Sequence, residues 1–352
     1  MMKLLHAADL HLDTPFSDTP ELKQALLSVP GQLARLCRAE GCQAVLLSGD
    51  LFDGPWSRES VQTLKDAMED MAVPVFVSPG NHDHLGAGSP YTGTRWPGNV
   101  HIFESPTVTA VEVERLGLKV YGAGYHGIDC PPLLEGFRAE GDALYHVAVL
   151  HGDPGQVGSP YCPVTAAQVR ESALDYLALG HIHKGGHFRA GQTLCAWPGC
   201  AMGRGWDETG EKGALIVTLD GPAQIRTVTL EGPRFHALRT VVEGDPVAAL
   251  ERVLPPVPNG DYYRIELTGE TERPDLVALR QVFRGFAHLE LVDRTTVPVD
   301  LWGSAGEDTL EGTYFQILRS AMEHAGTEER KTLELAARIS RQILEGREVE
   351  LP

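Results

Sequence analysis

Five short apolar runs in the first half of the chain each stop on residues of the metal-binding type, and any fold for this sequence must say where those stops go. The runs are Lys3 to Ala8, Ala44 to Ser48, Val73 to Ser78, Val147 to Leu150 and Tyr176 to Leu179. Each is too short for a helix and rich enough in Val and Leu for a strand covered on both faces. They lead into Asp9-Leu10-His11, Gly49-Asp50-Leu51-Phe52-Asp53, Gly80-Asn81-His82-Asp83, His151-Gly152 and Gly180-His181-Ile182-His183. Open α/β sheets bind ligands beyond the carboxyl ends of their strands. One crevice would therefore collect all five groups.

Amphipathic stretches between the runs supply the helices of an α/β domain. Ser57 caps a helix with Val61, Leu64, Met68 and Met71 on one face, and Thr165-Ala166-Ala167-Gln168 reads as a capping box. Pro30-Gly31 is expected to break the stretch from Leu22 to Cys37 into two helices. Near Gly232-Pro233 the histidine-rich loops end and a second series begins. Its strands are expected near Ala237 to Val242, Tyr262 to Leu267 and His288 to Val292, with helices at Pro246 to Leu254 and Pro274 to Phe283. Two terminal helices follow, Leu310 to His324 and Glu328 to Leu344. The expected division is a catalytic domain over 1–232, an α/β capping domain over 233–305 and C-terminal helices over 306–352.

In an extended strand residues i and i+2 point the same way, so Asp9 with His11, and His181 with His183, are each expected to present two ligands side by side. Carboxylate, imidazole and amide donors without thiolate suit manganese, iron or zinc, with manganese the first choice. Asp9, His11, Asp50, Asn81, His151, His181 and His183 exceed what one ion needs. Two ions sharing a carboxylate fit the count.

In this order the five motifs resemble the calcineurin-like metallophosphoesterases. The finer resemblance is to their bacterial DNA-repair nuclease branch, of the SbcD and YhaO type, and rests on Ala178-Leu179-Gly180-His181-Ile182-His183-Lys184, Trp197-Pro198-Gly199-Cys200, Arg204-Gly205-Trp206-Asp207-Glu208 and Gly210-Glu211-Lys212-Gly213. It covers roughly residues 1 to 232. It implies a four-layer αββα sandwich. It also implies that Asp9, His11 and His183 bind one ion and Asn81, His151 and His181 the other, with Asp50 bridging. His82 would be general acid or transition-state stabiliser, its ring fixed by Asp83. Where archaeal and eukaryotic relatives carry His after Gly-Asp-Leu-Phe, this chain has Asp53.

The implied activity is two-metal phosphodiester hydrolysis of DNA ends in repair, in the cytoplasm, with an SMC-like ATPase as partner and with room for a homodimer. The net charge of -18 disfavours unaided adhesion to DNA or to anionic membrane. It favours the alternative of a phosphodiesterase or phosphatase of small nucleotides or phosphoproteins, and a non-hydrolytic scaffold is the third reading. Arg204 is a candidate phosphate clamp, against a plain ion pair with Asp207 or Glu208. His126 is a weaker candidate for substrate contact. Six cysteines without C-x-x-C pairs point to reduced thiols, and no run of ~18 apolar residues offers a membrane span. In the charge mixture from Glu328 to Arg347 the stripe Leu333, Ala336, Ala337, Ser340, Ile343 and Leu344 would either dock the partner or pack within the chain. Glu329, Arg330, Glu334, Arg338, Arg341 and Glu345 would face water.

Overall fold

A computed structural model describes the chain apart from residues 16–18, 157, 299, 347–348 and 350–352. Arg347 and the last residues of the expected C-terminal segment lie outside the described residues. Two compact units are present: Met1–Ala237 with Asn259–Arg264, and Leu238–Pro258 with Ile265–Pro352.

The first unit is built on two six-stranded sheets. One contains β1 (Met2–Ala7), β2 (Ala44–Leu47), β3 (Val75–Val77), β4 (Val100–Ile102), β11 (Gly213–Leu219) and β12 (Gln224–Thr229). The other contains β5 (Thr109–Val113), β6 (Leu118–Gly122), β7 (Tyr145–His151), β8 (Tyr176–Gly180), β9 (Lys184–Ala190) and β10 (Thr193–Gly199). The strand orders are β12-β11-β1-β2-β3-β4 and β5-β6-β7-β8-β10-β9. Within them β1 to β4 run parallel, as do β6, β7, β8 and β10. The strands that carry the five motifs therefore end together on one edge of each sheet.

Strand alternation sends neighbouring residues into different cores. Leu4, Leu46 and Phe76 meet Val120, Val149 and Ala178 between the two sheets. Their neighbours Leu5, Val45, Leu47 and Val75 face α1 (Pro20–Glu40) and α2 (Arg58–Met71). On the outside of the second sheet, Ala148, Leu150, Leu177 and Leu179 are covered by Leu134, Cys162, Val164 and Val169, the last from α3 (Ala166–Glu171). This is the expected four-layer sandwich.

One expectation fails here, for α1 runs unbroken through Pro30. A proline inside a helix removes one backbone bond and crowds the preceding turn, at a cost of ~3 kcal/mol. Leu22, Leu26, Val29, Pro30, Leu33, Ala34 and Cys37 are all buried from this one helix, and burying each large apolar side chain contributes about 1.5–3 kcal/mol. Packing outweighs the break. The Ser57 cap and the Thr165–Gln168 capping box form as expected.

The remaining elements are β13 (Phe235–Val241), α4 (Pro246–Glu251), β14 (Tyr262–Glu270), α5 (Leu276–Val282), β15 (His288–Thr296), α6 (Leu310–His324) and α7 (Thr327–Leu344). β13, β14 and β15 form a three-stranded sheet. Within the second unit Ala337 of α7 is buried with Leu301 and Phe315, so the centre of the α7 stripe is used internally. Ile343 and Leu344 stay exposed. Arg341 does not face water as expected. It is buried, its guanidinium stacked 4.1 Å from the Phe315 ring and bonded to Glu311, Ser304 Oγ and the Leu301 carbonyl. A long stem that packs on an aromatic ring, with its charge matched by a carboxylate, makes that burial tolerable.

Candidate metal centre

The chain bends sharply where the strands end. Asp9 (φ 52), His11 (φ 45), Asp50 (φ 50) and His181 (φ 99) all adopt the left-handed region, which costs a non-glycine residue about 1–3 kcal/mol. Four of the seven candidate ligands therefore hold a conformation that folding alone would avoid. The bends are pinned by backbone bonds between neighbouring loops: Asp9 N to Gly49 O and His11 N to Asp50 O, both 3.0 Å. The expectation of paired ligands on extended strands is corrected here. β1 ends at Ala7 and β8 at Gly180, and the left-handed turns, not strand alternation, aim the side chains.

The result is two groups of candidate ligands, each within 4.8 Å, Asp9 with His11 and His183, and Asp50 with His151 and His181, and a third such group, His11 with Asp53 and His82, on the exposed side. His181 and His183, two residues apart, serve different groups. Asp50 stands between them, with Oδ2 3.2 Å from His151 Nε2 and 4.0 Å from His11 Nε2. Asn81 joins the second group through its Oδ1, 3.0 Å from His151 Nε2.

Two of the imidazoles are oriented by a contact on the far nitrogen. His151 Nδ1 donates to the Ser48 carbonyl at 2.8 Å, and His183 Nδ1 to Glu208 Oε1 at 2.7 Å. Both rings thereby turn Nε2 inward, the nitrogen that would be free to ligate a metal once deprotonated. His183 Nε2 and His11 Nε2 face each other at 3.0 Å, and the buried His11 Nδ1 has no hydrogen-bond partner. Two imidazole nitrogens facing each other beside the Asp9 and Asp50 carboxylates suit a cation. The residues fit a divalent metal pair.

Electrostatics agree. Burial raises the Asp9 carboxyl above its usual range, against the pull of His151. Burial pushes Asp50 the same way, but the His151, His11 and His82 rings draw it well below. His151 is disfavoured as a cation by burial and yet driven up to about 9 by Asp50. His181 falls to about 4 through burial and its neighbour His151, which outweigh the opposing pull of Asp50. A bound divalent ion replaces the protons these groups otherwise compete for.

Around this core the structure alters one expected contact. Asp83 does not touch the His82 ring. It is buried and accepts from the backbone of Leu51 (2.7 Å), Phe52 (3.4 Å) and Gly80 (2.7 Å) and from the Tyr91 hydroxyl (2.5 Å). It ties the Asp50 loop to the Asn81 loop. The carboxylate on His82 is Asp53, with Oδ1 2.9 Å from Nδ1, and that bond raises the His82 pKa. The His82 ring is exposed while its backbone N–H donates to Asp50 Oδ1 at 3.0 Å.

Arg204 meets Glu208, as its plainer reading allowed, and its Nη1 is also 3.3 Å from Asp53 Oδ2 and its Nη2 3.2 Å from His183 Nδ1. His126 is exposed and bonds only the Glu104 carbonyl at 2.8 Å. Neither Asp53 nor Glu208 stood among the expected site residues. The spacing of Arg204 and Glu208, four residues apart, was the available signal for Glu208.

The model of the calcineurin-like phosphoesterase family matches residues 2–185. The chain is 34% identical over 242 residues to the metallophosphoesterase YhaO of Bacillus subtilis (strain 168), covering 61% of this chain and 57% of that protein. It thus spans little more than half the length of that relative. It is 23% identical over 272 residues to the SbcD component of the SbcCD nuclease of the same organism, covering 64% of this chain and 68% of the relative. Among solved structures, the purple acid phosphatase PPD1 of yellow lupin superposes with a TM-score of 0.44 at 12% identity, covering 64% of this chain and 51% of that one.

Close packing of the motif glycines yields a test. A Cβ on Gly80 would stand 2.2 Å from Asp50 Oδ1 and 2.8 Å from Asp50 N, so Gly80→Ala must displace the shared carboxylate. Manganese affinity, measured by calorimetric titration, is expected to fall about 10–100-fold, the usual effect of losing a ligand's support. Unchanged affinity would show that Asp50 contributes no ligand.

Proposed function

This chain belongs to the calcineurin-like phosphoesterase family, and on that footing we propose that it is a two-metal phosphodiester hydrolase acting on DNA ends with an SMC-like ATPase. The observation that carries the proposal is the single buried carboxylate, Asp50, standing between two donor groups. In this reading Asp9, His11 and His183 hold one ion, Asn81, His151 and His181 hold the other, and Asp50 is common to both. Manganese is the first choice, with iron and zinc the alternatives. Ions in such a site lower the pKa of water and neutralise charge gathering on a phosphoryl oxygen.

The protein's own groups do the rest. His82 lies outside the ligand set and on the exposed side of the site. Held protonated by Asp53, it stabilises or protonates the departing oxygen. Asp83 works at a distance, fixing the two loops that carry Asp50 and Asn81. Arg204 is largely engaged by Glu208 and Asp53. We assign it to positioning His183 and Asp53 rather than to clamping phosphate, and we give His126 no part in the site.

The DNA and partner assignments draw on the nuclease-type loops from Ala178 to Gly213 and on the 23% likeness to the SbcD component of the nuclease. With a net charge of -18, the chain needs a partner to hold a polyanion. The internal use of Ala337 and Arg341 moves the proposed ATPase contact to the exposed Leu310 and Ile317 of α6 and Ile343 and Leu344 of α7. The domain division at 232 and 305 serves the same proposal, with the C-terminal helices as docking element. Among the described residues no helix is long and apolar enough to cross a membrane, and the proposed setting is the cytoplasm.

The deciding experiment challenges the manganese-loaded chain with single-stranded, duplex and hairpin DNA beside bis-p-nitrophenyl phosphate and free nucleotides. Cleavage of DNA is expected. Turnover of the small esters alone would replace the nuclease reading with a nucleotide phosphodiesterase. His82→Ala is expected to keep its metals and to slow DNA hydrolysis by about 10²–10⁴-fold. Wild-type rates with both ions bound would remove His82 from the mechanism. The doubly substituted Ile343→Glu, Leu344→Glu chain is expected to lose co-purification with the ATPase while keeping diester hydrolysis, and retained co-purification would place the contact elsewhere.

A further inference from the structure

Six cysteines are free and buried, and two of them meet behind the metal centre. Cys162 N donates to Cys130 O at 2.8 Å, and Cys130 forms a parallel bridge with Tyr161. That backbone bond joins the two cysteines directly, their side chains are buried in one apolar cluster, and residues so joined lie at about the 4.4–6.8 Å between Cα atoms that a disulfide spans. The Cys130 thiol donates to the Pro131 carbonyl at 3.5 Å, and the influence of each thiol on the other holds Cys162 below the ordinary thiol range and Cys130 above it.

The pair is reachable from one side and coupled to the site on the other. Cys130 lines a pocket of about 420 Å³ together with Pro106, Gly124, His126, Ile128 and Pro131. Cys162 follows Tyr161, whose ring centre lies 4.7 Å from that of His181. Asp153 N donates to the Tyr161 and Cys162 carbonyls at 2.9 and 3.2 Å. Gly152, directly after His151, packs so closely that a Cβ there would stand 2.6 Å from Cys162 O. Cys162 itself holds a left-handed φ of 45°, which a non-glycine residue keeps only while its surroundings enforce it.

We propose that Cys130 and Cys162 are a reversible oxidation site, which hydrogen peroxide converts to a disulfide, and that closing the disulfide distorts the half of the centre formed by His151 and His181. One sulfur gives its electron pair to a peroxide oxygen, the O–O bond breaks, and a sulfenic acid and one water result. The second sulfur attacks the sulfenic sulfur, the S–O bond breaks, and the disulfide and a second water leave. The two thiol protons end in the waters. Drawing the sulfurs to ~2.05 Å must shift Cys162, and the shift reaches His181 through Tyr161 and His151 through Gly152. Transient disulfides of this kind are the form expected in a reducing compartment.

The test treats the full chain with hydrogen peroxide, maps its peptides, and follows manganese content and bis-p-nitrophenyl phosphate hydrolysis. A Cys130–Cys162 peptide pair lacking two hydrogens is expected. Hydrolysis is expected to fall by up to about 100-fold, as for a site displaced by ~1 Å, and to return with dithiothreitol. Cys130→Ala should keep the untreated rate and resist peroxide, with Cys162→Ala as the second variant should the first fold poorly. Absence of the linked peptides overturns the proposal, as does a linked protein with unchanged rate and metal content, or a Cys130→Ala chain inactivated as fully as wild type. The peptide map and metal content do not depend on hydrolysis, so a chain inactive on the diester bears on the proposed function and leaves the oxidation site testable.

Discussion

Two carboxylates sealed from solvent, Asp9 and Asp50, are the constraint around which the first unit is arranged. Each is at most 1% exposed, and an isolated ionised carboxylate is costly in a dry interior unless paired. The chain answers with imidazoles from four of the five motif segments, which partly balance the charge and leave the rest for cations to match. A structural role alone gives no reason to gather so many titratable groups where water cannot reach. The strained turns at Asp9, His11, Asp50 and His181 make the same point, since these ligands are four of the eight non-glycine residues with such angles among the described residues.

That concentration depends on the sheets. Parallel strands β1 to β3 and β7 to β8 deliver their carboxyl ends to two facing edges, and the core between the sheets fixes the spacing. Glycine makes the close approach possible. At Gly180 a Cβ would lie 2.1 Å from Ser48 O, and that carbonyl is the one that orients His151. Removing side chains next to the ligands is what lets loops from different sheets touch. Outside this shell Asp83, Asp53 and Glu208 hold loops and rings in place, so the support reaches one layer beyond the ligands.

Much of this was legible in the sequence, because strands covered on both faces read as short apolar runs and the ligand types stand immediately after them. Order and spacing then carried the resemblance. What was hidden depended on tertiary contact. Pro30 signals a break, and only the extent of burial along α1 explains why none occurs. Asp83 stands next to His82 and was expected to hold it, but the turn sends the two side chains apart, and the ring is taken by Asp53 from another loop. Arg341 belongs by pattern to a solvated face and is buried through Phe315 and Glu311, which lie 26 and 30 residues away in the chain. Backbone angles at the strand ends carry no sequence signal at all, since Asp and His seldom adopt them.

The proposed two-metal centre stands or falls on Asp50 being shared by both ions, and metal stoichiometry measures that directly. Wild-type chain saturated with manganese and freed of excess is expected to retain two ions. His183→Ala is expected to retain one, and Asp50→Asn to lose hold of both, because only Asp50 is proposed to serve both ions. One ion in the saturated wild type, or two in Asp50→Asn, would contradict the shared centre.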